Sequence, residues 1–380
     1  PGPPAPSSTD PHYWPWLSLS NTCKWGKGLG LYLSSPSPLS SSSYLLGSAS
    51  IHSCPLSPLV PSHTPFLSRL SLPLSSLQLP MTVTHSVEQC KCSRWAVSLS
   101  HGFENPQLEK LFRKAVQCIT QEEFDKLSKQ RHKEDALASL YGRLLYREGV
   151  RKFTNCDWDE ISFGRTERGK PYAMTPENAT FGINVSHQGN YVAFASSCTP
   201  RVGVDVMRLD KERNNKSADE YINSMAKSAS DEELRQMRGQ PTEAMKMTMF
   251  YRYWCLKEAI LKATGEGIMQ DLNRLDFRCD FTERYRQGCF IISTKMNEDG
   301  KPQRQWIFEE SFIDNNHSAA VCKEKRAPSY CVFSKQDDAR IFFSKIGLET
   351  LLDHATIINA LPQDGLQAWE DFCLKPRKMF

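Results

Sequence analysis

The chain has 380 residues, room for one large domain or two ordinary ones, and a formal charge of only +4. So small a charge does not point to nucleic acid, and no stretch approaches the roughly 18 apolar residues that would suggest a membrane span. The 13 cysteines are odd in number and scattered; only Cys90 and Cys92 stand close, and this C-x-C has no matching second pair to complete a zinc site, so the expectation is a reduced, cytoplasmic chain of ordinary buried thiols.

Residues 1–80 are dominated by Ser, Pro and Leu, with Asp10, Lys24, Lys27 and Arg69 as their charged residues. Proline recurs too often for long helices, and no basic segment precedes an apolar core as in a signal peptide. This leader is expected to be disordered or non-native, with ordinary globular composition beginning at Met81. From Asn105 to Val116 an apolar stripe of Leu108, Leu111, Phe112 and Ala115 marks a helix. Thr120 followed by Glu123 forms a capping box that opens a second helix, to Leu127. A third, from Glu134 to Val150, puts Leu137, Leu140, Leu144 and Leu145 on its buried face.

The period then changes. "ISFGRTERGKPYA" reads as strand, turn, strand, and "FGINVSHQGNYVAFASS" alternates around a Gly189-Asn190 turn. "RVGVDVM" is a further strand. Helix signals return at 231–238 and over 243–264, where Gly265 and Gly267 stop the run. Strands are expected at 273–279, 288–294, 304–310 and 317–323, then a helix near 345–354 and a surface helix around 364–373. This order predicts an α+β fold of two similar lobes, 81–190 and 191–325, meeting near residue 190, with a linker and tail over 326–380.

Three clusters could carry chemistry. In "GRTERGKP", Arg165, Arg168 and Lys170 crowd a turn at Gly169, which suits either a phosphate clamp or an exposed basic turn. In "NVSHQG", His187 ends a strand, as a phosphate ligand, an acid–base group or a satisfied edge residue. In "VGVDV", Asp205 lies within an apolar strand, where an isolated carboxylate is costly and needs a partner. Mg²⁺ takes one or two carboxylates and completes its shell with phosphate oxygens and water. The best second acid is Glu258 in "FYRYWCLKEAILKATGEG", with Lys262 one turn on and Trp254 one turn before. The bland alternative is a surface Glu–Lys pair worth about 0.2–0.5 kcal/mol.

"GVD" at 203–205 followed by "WCLKEAILK" at 254–262, with "RTERGKP" and "NVSH" upstream in order, resembles the signature of the 4′-phosphopantetheinyl transferase family. The similarity covers about residues 93–325 and looks nearest to the monomeric, two-lobed, animal-type branch. It implies transfer of 4′-phosphopantetheine from coenzyme A to a serine of an apo acyl or peptidyl carrier domain, of the fatty acid synthase or aminoadipate-semialdehyde dehydrogenase type. The resemblance makes Asp205 and Glu258 the magnesium ligands, Glu258 also the general base, and Lys262 the lysine facing the pyrophosphate. The loop Arg165, Thr166, Glu167, Arg168, Gly169 and Lys170 would surround the 3′-phosphate and adenine. The strand end Asn184, Val185, Ser186 and His187 would bring its histidine to that phosphate, Lys126 would supply another cation, and Gln188 a supporting contact. Two-lobed bacterial relatives often carry a second acid two residues past the Asp; here Met207 stands there, a poor Mg²⁺ ligand on the same strand face, so water is expected in its place. A magnesium-dependent phosphoesterase and a non-catalytic coenzyme A-binding module are the alternatives. A P-loop kinase is not, because no G-x-x-x-x-G-K-[ST] occurs.

Overall fold

The computed structural model describes residues 89–177, 179–210, 216–267, 271–325, 328–329, 331, 333 and 340–378. The Pro- and Ser-rich leader and the Met81 start lie outside the described residues.

The N-terminal lobe opens with β1 (Ser93–Ser98) and α1 (Leu99–Glu104), neither anticipated from the sequence. Helices α2 (Leu108–Gln117), α3 (Gln121–Ser128) and α4 (Lys133–Thr154) follow. The capping box forms as read: Thr120 accepts from the Glu123 amide and Glu123 from the Thr120 amide. Helix α4 carries Glu134 and Asp135 in its first turn and ends on Asn155 in the left-handed region, at φ 57°. The hairpin of β2 (Phe163–Arg165) and β3 (Pro171–Ala173) precedes β4 (Gly182–Gln188) and β5 (Tyr191–Ser197).

The C-terminal lobe comprises β6 (Val202–Arg208), α5 (Ala218–Ser224), α6 (Asp231–Arg238), α7 (Glu243–Thr264), β7 (Leu275–Arg278), β8 (Phe290–Ile291), β9 (Lys295–Glu298), β10 (Lys301–Pro302), β11 (Trp306–Asp314) and β12 (His317–Glu324). Its main sheet runs β6-β12-β11-β8. Helix α7 begins at the Thr242 cap and stops at Gly265, at φ 75°, as the sequence indicates. Each lobe thus sets a mainly antiparallel sheet against one 22-residue helix, α4 or α7, giving the expected two-lobed α+β fold.

Two boundaries move. Strand β5 is paired with β1 on one side and β4 on the other. It is therefore central to the N-terminal sheet, and the lobes divide at residues 198–201 rather than at 190. The tail is also no appendage. Strand β13 (Ser344–Lys345) adds parallel to β1, and α8 (Leu348–Leu352) and α9 (Leu366–Leu374) close the N-terminal core with Leu348, Leu351, Leu352 and Phe372. Phe372 stacks on Phe112 with ring centroids 4.5 Å apart, so α9 is anchored rather than a surface helix.

Between the lobes, Val202, Val204 and Val206 on one face of β6 pack on Ala96, Ala193 and Ala195 of the N-terminal sheet. Three alanines let the sheets approach closely. The buried Arg94 on β1 crosses this boundary, donating from Nε and Nη2 to Glu309 Oε2 on β11 at 3.0 and 2.7 Å. Among the described residues no helix is long and apolar enough to cross a membrane.

Candidate active site

The other face of β6 looks at α7, and Gly203 sets their separation. A Cβ there would stand 2.1 Å from the Ala259 carbonyl oxygen and 2.4 Å from the Ala263 nitrogen. Only glycine allows this approach. Two residues on, Asp205 is carried against the α7 face that bears Glu258 and Lys262. Met207, two further, is buried in the C-terminal core beside the α7 side chains.

Asp205 is 5 % exposed. Its Oδ1 accepts from Lys262 Nζ at 2.6 Å and from Ser186 Oγ at 2.8 Å, and Lys262 also donates to Ser186 Oγ at 2.7 Å. Its Oδ2 is buried and has no hydrogen-bond partner among the described residues. One oxygen is held by three-way bonding, and the other is left bare. Glu258, one turn before Lys262, is half-buried, and its carboxyl is pushed up to about 7, first by burial and then by the negative charge of Asp205, against the pull of Lys262. The two acids therefore sense each other across the strand–helix contact. A buried bare carboxylate oxygen beside a carboxyl reluctant to ionise is the donor set a hard divalent cation fits, since the cation supplies the missing charge to both. Trp254 stacks on Phe250 at 6.0 Å and packs against the C-terminal core, holding this stretch of α7 in place.

Strand β4 reaches β6 through alternate side chains. Asn184 Oδ1 accepts from the Val204 amide at 2.9 Å, and Gln188 Oε1 from the Arg208 amide at 2.7 Å. With Ser186 between them, these residues satisfy the free edge of β6 and orient Asp205. The adjoining positions Val185 and His187 alternate to the other side. The His187 imidazole is pushed down to about 3 by burial, then by Lys378 and Lys262, and is neutral. Lys378 belongs to the tail, whose end pairs with Asp135 at the start of α4.

The basic turn is well defined. Thr166 and Lys170 exchange hydrogen bonds across it, and Gly169 takes φ 82°. Lys170 Nζ donates to the carbonyls of Ala263 at 2.7 Å and Val202 at 3.2 Å, and Arg168 Nη1 donates to Glu266 O at 3.4 Å. Burial pushes the Lys170 ammonium down to about 8. These two cations hold the turn to the C-terminal end of α7, where the helix dipole favours positive charge. Glu167 and Thr166 are exposed. Arg165 lies apart from that contact. It lines a cleft of about 290 Å³ together with Lys126, Arg143, Tyr146 and Val185. Lys126 also pairs with Glu122 within α3.

Two residues, Arg143 and Lys257, escaped the sequence reading, and a third, Ser186, was expected at the strand end but in another role. Arg143 on α4 donates from Nη1 to Ser139, while its buried Nε has no partner among the described residues. Lys257, beside Glu258, turns into the C-terminal core and pairs with Glu233 at 2.9 Å, so the adjacent motif lysine is structural. Ser186 orients Asp205, which its place in a strand-end motif did not reveal. Helical spacing separates Lys257 from Glu258 by about 100° and could have flagged it.

Residues 105–199 match the family described as "4'-phosphopantetheinyl transferase, N-terminal", and residues 201–322 match the "4'-phosphopantetheinyl transferase superfamily". The chain is 33% identical over 270 residues to the L-aminoadipate-semialdehyde dehydrogenase-phosphopantetheinyl transferase of Mus musculus, covering 68% of this chain and 84% of that one. It is 33% identical over 213 residues to the phosphopantetheinyl transferase of Thraustochytrium sp., covering 55% and 71%. A 4'-phosphopantetheinyl transferase of Bacillus subtilis is 30% identical over 166 residues, 42% of this chain and 66% of that one. Neither hydrolysis nor bare coenzyme A binding finds support among these relatives. With both lobes matched and a relative 33% identical over 84% of its own length, the chain belongs to the 4'-phosphopantetheinyl transferase family.

Proposed function

We propose that this chain transfers 4′-phosphopantetheine from coenzyme A to a serine of an apo carrier domain, using a Mg²⁺ ion held by Asp205 and Glu258. The observation that carries the reading is Asp205 Oδ2, buried and without a partner while Oδ1 is fully bonded. When bound, the ion supplies positive charge that offsets the charge growing on the leaving phosphate.

The chain's own residues do the rest. Lys262 holds Asp205 and presents a fixed positive charge to the pyrophosphate. Ser186 fixes the Asp205 carboxylate so that only Oδ2 is offered. Arg165, Lys126 and Arg143 line the cleft that takes the 3′-phosphate and adenine end. Thr166, Glu167, Arg168, Gly169 and Lys170 form the turn beside it, with Arg168 and Lys170 anchoring rather than gripping. Asn184 and Val185 position the strand from which neutral His187 faces the phosphate. The carrier serine oxygen attacks the β-phosphorus in line. A new P–O bond forms, the bridging P–O bond breaks, and adenosine 3′,5′-bisphosphate leaves. The serine proton passes to Glu258, directly or through water; a carboxyl titrating at about 7 is matched to that task. Met207 is enclosed by apolar neighbours, so it would not serve as a ligand and water would be needed in its place.

The expected carriers are domains of the fatty acid synthase and aminoadipate-semialdehyde dehydrogenase types, met by a cytoplasmic monomer; the described cysteines, none in a disulfide, suit a reducing compartment. Incubation with coenzyme A, Mg²⁺ and an apo carrier domain should add the phosphopantetheine mass to one serine. Glu258→Gln should lower the transfer rate by about 10²–10⁴-fold while coenzyme A still binds. Release of bisphosphate without carrier labelling would instead establish hydrolysis.

A further inference from the structure

The cysteines do not behave as isolated buried thiols. Cys90, Cys92, Cys198 and Cys331 converge, all four sulfurs lying within 4.8 Å of one another. The separations are 3.7 Å for Cys90–Cys331, 3.7 Å for Cys90–Cys198, 3.8 Å for Cys92–Cys198 and 3.8 Å for Cys92–Cys331. A tetrahedral ion with Zn–S bonds of about 2.3 Å places its sulfurs about 3.8 Å apart. A disulfide needs about 2.05 Å, and none of the four is in one. An iron–sulfur cluster, whose cysteines bind different irons, would spread them further.

We propose that Cys90, Cys92, Cys198 and Cys331 form a closed tetrathiolate site for a structural Zn²⁺ ion.

The fold explains how the quartet assembles. Strand β1 pairs antiparallel with β5, with Ser93 opposite Ser196. Carried two residues beyond the strands, that register puts Lys91 opposite Cys198. Cys90 and Cys92 flank Lys91 on one side of the extended chain, so all three sulfurs meet at the sheet's end. The Lys91 amide donates to Cys198 Sγ at 3.1 Å, the kind of outer contact that steadies a metal-bound thiolate. The fourth sulfur comes from the chain beyond β12, whose Lys323 lies opposite Val202 at the start of β6. After β12 the chain turns at Pro328, whose carbonyl accepts from the Cys331 amide at 3.0 Å, and Cys331 is brought in at 2 % exposure. The expectation that the C-x-C lacked a second pair fails because its partners lie 106 and 239 residues away in sequence.

Such an ion would join the segment before β1, the end of β5 and the connection leading from β12 back towards β13. It would clasp the crossing between lobes at the end of β1 and β5 and uses none of the residues around Asp205. All four positions are filled by protein, so it has no open site for substrate. Binding displaces the thiol protons and is therefore weakened in acid.

The test uses the full chain purified under reducing conditions without added metal. Elemental analysis should find one zinc per chain, and X-ray absorption should give four sulfur neighbours at about 2.3 Å. Exchange for Co²⁺ should give the charge-transfer bands of a tetrathiolate site, which needs no variant to fold. The double variant Cys92→Ser/Cys331→Ser should lose the zinc and have a lower thermal midpoint, whereas Cys373→Ser, at an exposed cysteine, should keep both. Metal-free protein with four freely alkylated thiols at these positions, a disulfide among them on peptide mapping, or zinc retained in the double variant would overturn the proposal.

Discussion

Asp205 is a carboxylate with one oxygen fully bonded and the other bare among the described residues. Lys262 and Ser186 both hold Oδ1, and removing either would leave it with a single side-chain partner. Its charge also raises Glu258, which has a consequence for pH. Without metal, folded Glu258 takes up a proton below about 7, whereas in the unfolded chain it does so only near about 4.3. The folded state binds more protons in that window, so this group's contribution to stability falls as pH rises from about 4.3 to about 7. In the proposed site Mg²⁺ would replace that proton. The gain in thermal midpoint on adding Mg²⁺ is therefore expected to be larger at about pH 8 than at about pH 6. Scanning calorimetry at both values checks this, and the same gain at both, or a pH-dependent gain that survives Glu258→Gln, would remove Glu258 from the metal site.

At the scale of elements, the junction of β6 with α7 decides the site. Gly203 is the residue that lets the strand lie against the helix backbone. Its substitution by Ala would meet backbone atoms that cannot rotate away, and overpacking of this kind costs about 1–3 kcal/mol. The fold should survive with normal circular dichroism. Transfer should fall by about 10²-fold, because displacing reacting groups by an ångström costs that much. A wild-type rate in Gly203→Ala would mean that strand and helix need not touch. The edge of β6 is a second such device. Asn184 and Gln188 satisfy amides that would otherwise be bare, so β4 is joined to the C-terminal sheet by side chains rather than by a ladder. Much of "NVSHQ" thus serves assembly, although its sequence reads as a ligand motif.

Across the whole molecule, the lobes are joined by an apolar contact and by a buried charge. Arg94 fills the space between sheets and gives Nη1 to the Ser196 and Ser93 carbonyls at 2.6 and 2.8 Å. Burial works against ionised Glu309, but Arg94 and Lys323 hold its carboxyl below the ordinary range. Arg94→Leu would leave Glu309 with Lys323 alone and strand the two carbonyls. The expected loss is about 3–5 kcal/mol in chemical denaturation. Replacing Glu309 by Leu in the same chain should recover part of it, since removing both charges is milder than removing one. No recovery would mean that the pair is not coupled across the boundary.

The sequence by itself determined what is local. The Thr120 capping box, the span of α7 from Thr242 to Gly265 and the α+β order follow from bonds and contacts within a few residues. The spaced motifs named the acids, because strand alternation and helical spacing place Asp205, Glu258 and Lys262 on usable faces. The tertiary structure decided what depends on distant chain meeting distant chain. Strand β5 lies in the middle of its sheet, the tail completes the N-terminal core, Lys170 turns to a helix end, and Oδ2 rather than Oδ1 of Asp205 is left bare. Four cysteines from three separate segments meet at one corner. None of these leaves a mark at short spacing, since they arise when closing long loops brings together surfaces that no neighbouring residues share.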